Sequence, residues 1–190
     1  MRKFTENWFN PEQFKHFQKD LPTKKYLEVG AFEGRSLCWM MDNILTGDND
    51  IAYAVDTFKG GVEHTAELLN NDMSMVESNY LHNVEEFGDK VVTLKGESFD
   101  RLTELLPNHK ESFDFIYIDG SHDSWNVLAD AVIAFKLLKK GGVMGFDDFK
   151  WNLMNDPVRS PGPAIQAFCY THQKFLKMLH EGYQLWIEKL

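Results

Sequence analysis

Short apolar segments alternate with helix-like segments along most of this chain, and this alternation constrains the fold more than any other feature. The segment "FDFIYIDG" (113–120) is almost uninterrupted in its apolar character, as is typical of a strand covered on both faces of a sheet. Strands that alternate with helices favour parallel pairing through right-handed crossovers. The sequence therefore predicts an α/β fold: a doubly wound, mostly parallel, seven-stranded sheet with helices on both faces.

Local patterns give the expected boundaries of these elements. The predicted strands are 24–30, 50–58, 90–96, 113–120 and 142–149, and the predicted helices are 10–19, 35–45, about 65 onward, 98–106, 124–142 and 162–175. The final segment "LKMLHEGYQLWIEKL" predicts two strands around Glu181-Gly182, which should add one antiparallel strand. Because no repeat or Pro/Gly/Ser linker divides the chain, we interpret residues 1–190 as a single domain.

Composition argues against several classes of protein. A formal net charge of −9 disfavours nucleic-acid binding, because an acidic protein repels the phosphate backbone unless it carries a local basic patch. The basic clusters of this chain are short. No apolar run is long enough to predict a membrane span, and the first residues lack the apolar segment of a secretory signal. Cys38 and Cys169 are expected to be small buried residues in a reducing compartment. We therefore expect a cytoplasmic protein without nucleic-acid or membrane partners, and its oligomeric state is open.

A glycine turn follows the first predicted strand, in "YLEVGAFEGRS" (26–36). Gly30 and Gly34 are separated by three residues, and Glu28 precedes them, so the spacing differs from the dinucleotide fingerprint Gly-x-Gly-x-x-Gly. Such a turn allows a ligand to lie against backbone amides at a helix N-terminus, and Ser36 can offer a hydroxyl there. A turn required only for packing is the alternative.

The next two strand ends are also polar. Asp56 ends the second strand, where its carboxylate can accept both hydroxyls of a ribose, although aspartate is also common in ordinary turns. Gly96 and Ser98 follow the third strand, where an adenine edge can meet backbone and hydroxyl groups. A helix N-cap is an equally good interpretation of Ser98.

Three aspartates mark the ends of the fourth and fifth strands. Asp119 closes one, Asp147 and Asp148 close the other, and these ends should meet at the same edge of a parallel sheet. Because like charges repel, the cluster favours a hard divalent cation such as Mg²⁺, Ca²⁺ or Mn²⁺, with a solvated loop as the alternative. Imidazole in general has a suitable pKa for a general base, which makes His122 a candidate, but His122 can equally be a histidine at a helix start without chemistry.

Taken together and in this order, these segments resemble the class I S-adenosylmethionine-dependent methyltransferases over about residues 24–149. "LEVGAFEGRS" is similar to the version in metal-dependent O-methyltransferases of the catechol type, and "LKKGGVMGFDDF" is similar to antibiotic-sugar O-methyltransferases. The resemblance implies S-adenosylmethionine bound by Glu28, Gly30, Phe32, Gly34, Ser36, Asp56, Thr57, Gly96, Ser98 and Asp119. It also implies Mg²⁺ or another hard cation held by Asp119, Asp147 and Asp148. The catechol-type enzymes have a lysine where this chain has His122.

The expected reaction is methylation of a hydroxyl on a small molecule or sugar, with the cation lowering the pKa of the hydroxyl and His122 or bulk base removing its proton. A metal-independent N- or carboxyl-methyltransferase and a non-catalytic S-adenosylmethionine-binding module stay open. So does a nicotinamide-dependent oxidoreductase, against which the missing third glycine argues.

The acceptor pocket is expected to be formed by residues 59–83 and 149–163. Trp151 and Arg159 are candidates for acceptor contacts, and His64 is a weaker one. Phe32 and Trp125 can stack on the cofactor, although core packing is the safer interpretation of both. The N-terminus offers little material for a lid.

Overall fold

The computed structural model describes residues 1–17, 19–61, 64, 72–152 and 155–190, and a seven-stranded sheet forms its centre. The strands are β1 (Lys25–Val29), β2 (Ile51–Asp56), β3 (Val91–Lys95), β4 (Phe113–Ile118), β5 (Leu138–Phe146), β6 (Leu176–Glu181) and β7 (Leu185–Lys189). Their order is β3-β2-β1-β4-β5-β7-β6. Strands β1 to β5 pair in parallel, and β7 runs antiparallel to both of its neighbours. The predicted doubly wound sheet with one C-terminal antiparallel strand is confirmed.

Helices connect these strands and cover the sheet. The α-helices are α1 (Arg35–Asn43), α2 (Val76–Val84), α3 (Ser98–His109), α4 (Ser124–Leu137) and α5 (Pro161–His172). Short 3₁₀ segments lie at Pro11–Phe17, Met73–Met75, Glu85–Lys90 and Pro157–Arg159. No helix in the described part of the chain is both long and apolar enough to cross a membrane.

Two of the predicted helices differ from expectation at the N-terminal half of the chain. The segment expected as a helix over 10–19 is a 3₁₀ helix over Pro11–Phe17. Most of the helix expected from about residue 65 falls outside the described residues, and α2 begins at Val76.

Two hydrophobic clusters lie on opposite faces of the sheet, which explains the continuous apolar character of its central strands. Strand β4 is buried at all six positions: Ile116 and Ile118 belong to one cluster, and Phe115 and Tyr117 to the other. Helices α3, α4 and α5 cover the first face, and α1, α2 and the 3₁₀ segment 11–17 cover the second. Since each fully buried large apolar side chain stabilises the fold by roughly 1.5–3 kcal/mol, this arrangement is the main source of stability.

The helix predicted over 124–142 ends earlier, at Leu137, and β5 begins with Leu138. Lysines followed by glycines are typical of a helix C-terminus, but here they belong to an irregular start of β5, whose pairing with β4 shifts register after Phe113. The Lys189 ammonium donates to the Phe135 and Leu138 carbonyls at 2.9 and 2.8 Å, so β7 supplies the partners for the helix end.

Gly30 is required by the neighbouring strand. Its φ of +87° is in the left-handed region, and a β-carbon there would overlap the carbonyl oxygen of Asp119. The Asp119 amide donates to the Val29 carbonyl at 2.7 Å, so the β1 and β4 backbones stay paired beyond the ends of the two strands. Packing is therefore the structural reason for this glycine, whereas Gly34 (φ +75°) packs against the ring of Tyr80.

We expect Gly30→Ala to lower the free energy of unfolding by about 3 kcal/mol, because backbone strain and steric overlap add. Gly141→Ala is the matched control: Gly141 also has a positive φ (+73°), but a β-carbon there would meet nothing within 4 Å. The control should lose only about 1 kcal/mol. Urea denaturation of both variants measures the difference, and equal losses would contradict the overlap.

Candidate active site

The carboxyl ends of the parallel strands form one rim above the sheet. Backbone pairing continues past them: the Gly96 amide donates to the Asp56 carbonyl at 2.9 Å, and the Asp147 amide donates to the Ile118 carbonyl at 2.9 Å. In sheet order the rim residues are Gly96, Asp56, Gly30, Asp119 and Asp147. The polar strand ends that stood out in the sequence thus share one edge of the sheet.

A cleft of about 990 Å³ opens above this rim. All of the predicted site residues line it except Glu28, which is fully buried, and Gly34, which packs against Tyr80. His64 and Trp151 also line the cleft. The volume is in the range of clefts that bind cofactors and drug-sized ligands.

Three aromatic or basic candidates differ from expectation. Phe32 lines the cleft and is therefore not simply a core residue. Trp125 is 52% exposed and lies outside the cleft, so core packing is wrong for it. Arg159 also lies outside the cleft, where it pairs with Asp123 at 2.9 Å and lies over the Trp125 ring.

Asp56 holds the glycine turn in place. Its Oδ2 accepts hydrogen bonds from the Ala31 and Phe32 amides at 2.7 and 2.8 Å, and its Oδ1 accepts one from the Phe58 amide at 2.6 Å. The carboxylate therefore shapes the turn. Since each carboxylate oxygen can accept more than one hydrogen bond, this role is compatible with further bonds to a ligand.

Glu28 supports the same turn from below. The Ser36 hydroxyl donates to its Oε1, while its Oε2 is buried and has no hydrogen-bond partner among the described residues. Burial raises the pKa of Glu28 to about 8. The side chain is therefore mostly uncharged at neutral pH, and it acts beneath the cleft instead of on its surface.

The structure brings the three aspartates together. Asp119, Asp147 and Asp148 can each offer a carboxylate oxygen such that these atoms lie within 4.8 Å of one another. Removal from water, followed by repulsion from the neighbouring carboxylates, raises the pKa of Asp119 and of Asp147. The cluster thus concentrates negative charge that the surrounding residues do not fully compensate.

Hydrogen bonds orient the outermost member of the cluster. Asp148 has a left-handed backbone (φ +55°), and its Oδ2 lies 2.9 Å from His122 Nε2. The Tyr183 hydroxyl donates to Asp148 Oδ1 at 2.8 Å. The His122 ring also packs against Trp151, with 4.4 Å between ring centroids.

Buried polar residues that sequence reasoning missed orient Asp147. The Tyr117 hydroxyl donates to Asp147 Oδ2 and accepts a bond from Gln184 Nε2 at 2.7 Å. Gln184 and the neighbouring Tyr183 reach the cluster because β7 pairs with β5 so that Leu185 lies opposite Phe146. The adjacent Tyr183 and Gln184 in the final turn are the one sequence signal for this role. Their role becomes apparent only when the register between β7 and β5 is known.

The N-terminal segment, residues 1–17, contributes a wall of the cleft, a role that was not predicted from the sequence. Trp8 lines the cleft and packs against Phe32, with 5.3 Å between ring centroids. The Asn83 side chain accepts from the Lys3 amide at 2.6 Å and donates to the Lys3 carbonyl at 2.7 Å. These bonds fix the segment against the domain.

A family model described as a methyltransferase domain matches residues 27–149, from within β1 to just beyond β5. The chain belongs to the class I S-adenosylmethionine-dependent methyltransferases. The match covers almost the same range as the sequence resemblance. The family match rules out the alternative of a nicotinamide-dependent oxidoreductase.

Two curated relatives match most of this chain. An uncharacterized protein of Acanthamoeba polyphaga mimivirus is 30% identical over 173 residues, which cover 84% of this chain and 67% of that protein. Caffeoyl-CoA O-methyltransferase 1 of Eucalyptus globulus is 23% identical over 165 residues, which cover 86% of this chain. This chain spans only 59% of the length of the eucalyptus protein.

Solved methyltransferase structures share the fold. An O-methyltransferase from Bacillus cereus in complex with SAH gives a TM-score of 0.62 at 19% identity, covering 87% of this chain and 74% of that chain. MycE, from the mycinamycin biosynthetic pathway, in complex with Mg, SAH and mycinamycin VI, gives a TM-score of 0.64 at 17% identity. That match covers 98% of this chain and 50% of MycE.

Glu28→Gln should make the free energy of unfolding less sensitive to rising pH. An unfolded glutamate ionises near its ordinary pKa of 4.5, whereas folded Glu28 stays protonated up to about pH 8. The stability that this group contributes is therefore complete below pH 4.5 and is lost as pH rises towards 8. Between about pH 5 and pH 7.5, the free energy of unfolding of the variant should rise relative to wild type by roughly 3 kcal/mol.

Urea denaturation at both pH values measures this change. Glu85→Gln, at an exposed position, is the control and should follow wild type. Parallel stability curves for Glu28→Gln and wild type would contradict the raised pKa.

Proposed function

We propose that this methyltransferase transfers a methyl group from S-adenosylmethionine to a hydroxyl on a small molecule or sugar, with a divalent cation held by Asp119, Asp147 and Asp148. The observation that carries this proposal is the convergence of the three carboxylates within 4.8 Å, at the edge of a cofactor-sized cleft. We treat residues 1–190 as one domain, and a cytoplasmic location stays a prediction.

The donor set fits a hard cation. All three groups offer oxygen, which Mg²⁺, Ca²⁺ and Mn²⁺ prefer, and a cation would relieve the repulsion that raises the pKa of Asp119 and Asp147. When bound, such an ion would lower the pKa of an acceptor hydroxyl that it ligates. MycE, which shares the fold, carries Mg together with SAH.

The cleft also offers suitable partners for each part of S-adenosylmethionine, whose sulfonium carries the transferable methyl group. Asp56 has lone pairs for the ribose hydroxyls, and Gly96 and Ser98 lie at the β3 end, where they suit an adenine edge. Phe32 and Thr57 also line the cleft. The cofactor would then extend along the rim towards Asp119, at the acidic cluster.

His122 is our candidate for the general base. Its Nε2 lies 2.9 Å from Asp148 Oδ2 in the acidic cluster, and Trp151 packs against its ring. An imidazole at this position can take the proton of an acceptor hydroxyl near neutral pH. The Tyr183 and Tyr117 hydroxyls hold Asp148 and Asp147 in orientation, so most of the rate enhancement would come from positioning and charge stabilisation.

Aromatic residues in the lining of the cleft favour a small acceptor. Trp8, Trp151 and Tyr183 line it, together with His64. Such rings pack against sugar or phenol rings, while the nearby polar groups can bind hydroxyls. The eucalyptus relative is named as a caffeoyl-CoA O-methyltransferase, and MycE was solved with mycinamycin VI, so both names are consistent with small-molecule acceptors.

Removal of the cation should abolish methyl transfer. We expect EDTA to stop transfer from S-adenosylmethionine to a panel of hydroxylated acceptors, and added Mg²⁺ to restore it. Asp119→Asn should weaken Mg²⁺ binding, measured by calorimetry, by about tenfold or more, because one anionic ligand is lost. Asp89→Asn, at an exposed position outside the cleft, is the matched control.

The activity assay in EDTA, together with a binding measurement, separates the remaining alternatives. Full activity in EDTA would overturn the metal assignment and favour a metal-independent N- or carboxyl-methyltransferase. Binding of S-adenosylhomocysteine without turnover on any acceptor would favour the non-catalytic binding module.

His122→Gln should lower kcat by about 100-fold or more and remove the acidic limb of the pH–rate profile, since glutamine cannot accept the proton. Steady-state kinetics between about pH 5 and pH 9 measure both effects. His82→Gln, an exposed histidine outside the cleft, should behave as wild type. An unaltered rate and profile in His122→Gln would exclude this histidine as the base.

A further inference from the structure

Arg35 is the first residue of α1 and lines the cleft beside the glycine turn. Its Nε is buried and has no hydrogen-bond partner among the described residues. The other arginines of the chain each pair with a carboxylate: Arg2 with Asp42, Arg101 with Glu104, and Arg159 with Asp123. Because a partly buried guanidinium without an anion is unfavourable, Arg35 is suited to an anionic ligand.

The N-terminal segment holds this guanidinium in place. The Phe4 ring lies under it, with 4.3 Å between the Arg35 Cζ and the ring centroid. Phe4 is fixed in turn, because the Thr5 amide donates to Glu33 Oε2 at 2.6 Å and the Asn79 side chain donates to Glu33 Oε1 at 2.7 Å. Arg35 is therefore a preorganised donor at the wall of the cleft and not a mobile surface side chain.

The order of groups along the rim indicates which part of a ligand reaches Arg35. Ser98 and Gly96 lie beyond β3, Asp56 ends β2, and the acidic cluster lies at β4 and β5. A cofactor with adenine at β3, ribose at Asp56 and its methyl group at the acidic cluster has its sulfur above β1. Its amino-acid part must then leave from the middle of the rim, where α1 begins with Arg35.

We propose that Arg35 binds the α-carboxylate of S-adenosylmethionine, and that Phe4 makes the N-terminal segment part of the cofactor site. This inference rests on the proposed function, because it requires the cleft to hold that cofactor. A guanidinium can bind a carboxylate through two parallel N–H donors, and the N-terminus of α1 adds a favourable dipole. The two features together recognise the one anionic group of the cofactor.

Calorimetry with two ligands tests the assignment. S-adenosylhomocysteine carries the carboxylate, whereas decarboxylated S-adenosylhomocysteine keeps the ammonium and lacks only that group. Wild type should prefer the first ligand by about tenfold or more, as expected for a charge-assisted hydrogen bond. Arg35→Gln should lose this preference, with the affinity for the decarboxylated ligand within about twofold of wild type, and Arg35→Lys should recover part of it.

Arg2→Ala provides the matched control. It removes an arginine that anchors the same N-terminal segment through Asp42 and Glu86 but does not line the cleft. Any change in affinity caused by Arg2→Ala should be equal for the two ligands.

The outcomes are distinguishable. Equal affinities of wild type for the two ligands, or an Arg35→Gln variant that weakens both equally or neither, would overturn the role of Arg35. Failure of wild type to bind S-adenosylhomocysteine at all would overturn the proposed function itself.

Discussion

The close approach of two backbones, Gly30 of β1 and the Asp119 carbonyl at the end of β4, is the contact on which the site depends. It keeps the parallel pairing intact beyond the ends of the strands, and so places the glycine turn directly beside the acidic cluster. A larger residue at Gly30 would separate the two halves of the cleft. The turn therefore serves first to join strands, and the space for a cofactor follows from that junction.

Much of the fold was predictable from sequence because its signals are local. An unbroken apolar run such as residues 113–118 is incompatible with an exposed sheet face, and the polar residues that follow such runs must lie at one rim if the strands are parallel. Asp56, Asp119 and Asp147 were found in this way. The end of α4 was mispredicted because lysines before glycines are typical of helix ends, whereas pairing with Phe113 and contacts from Lys189 determine the backbone there.

The supporting residues could not be predicted, because their roles depend on long-range register. Tyr183 and Gln184 reach the aspartates only through the antiparallel pairing of β7 with β5. Phe4 reaches Arg35 because bonds distant in sequence hold the first residues, among them the bond from the Thr5 amide to Glu33 in the glycine turn. No local pattern in the first residues distinguishes a wall of the cleft from an ordinary chain end.

The acidic cluster lowers the folding stability of the protein without a bound cation, although the proposed site requires its charge. Three carboxylates held close together in a partly buried position oppose compaction, so neutral residues at these positions would be tolerated or even preferred by the empty domain. A screen that rewards only heat resistance would therefore enrich variants that have lost the cluster. Directed evolution of this scaffold needs a selection for ligand capture alongside one for robustness.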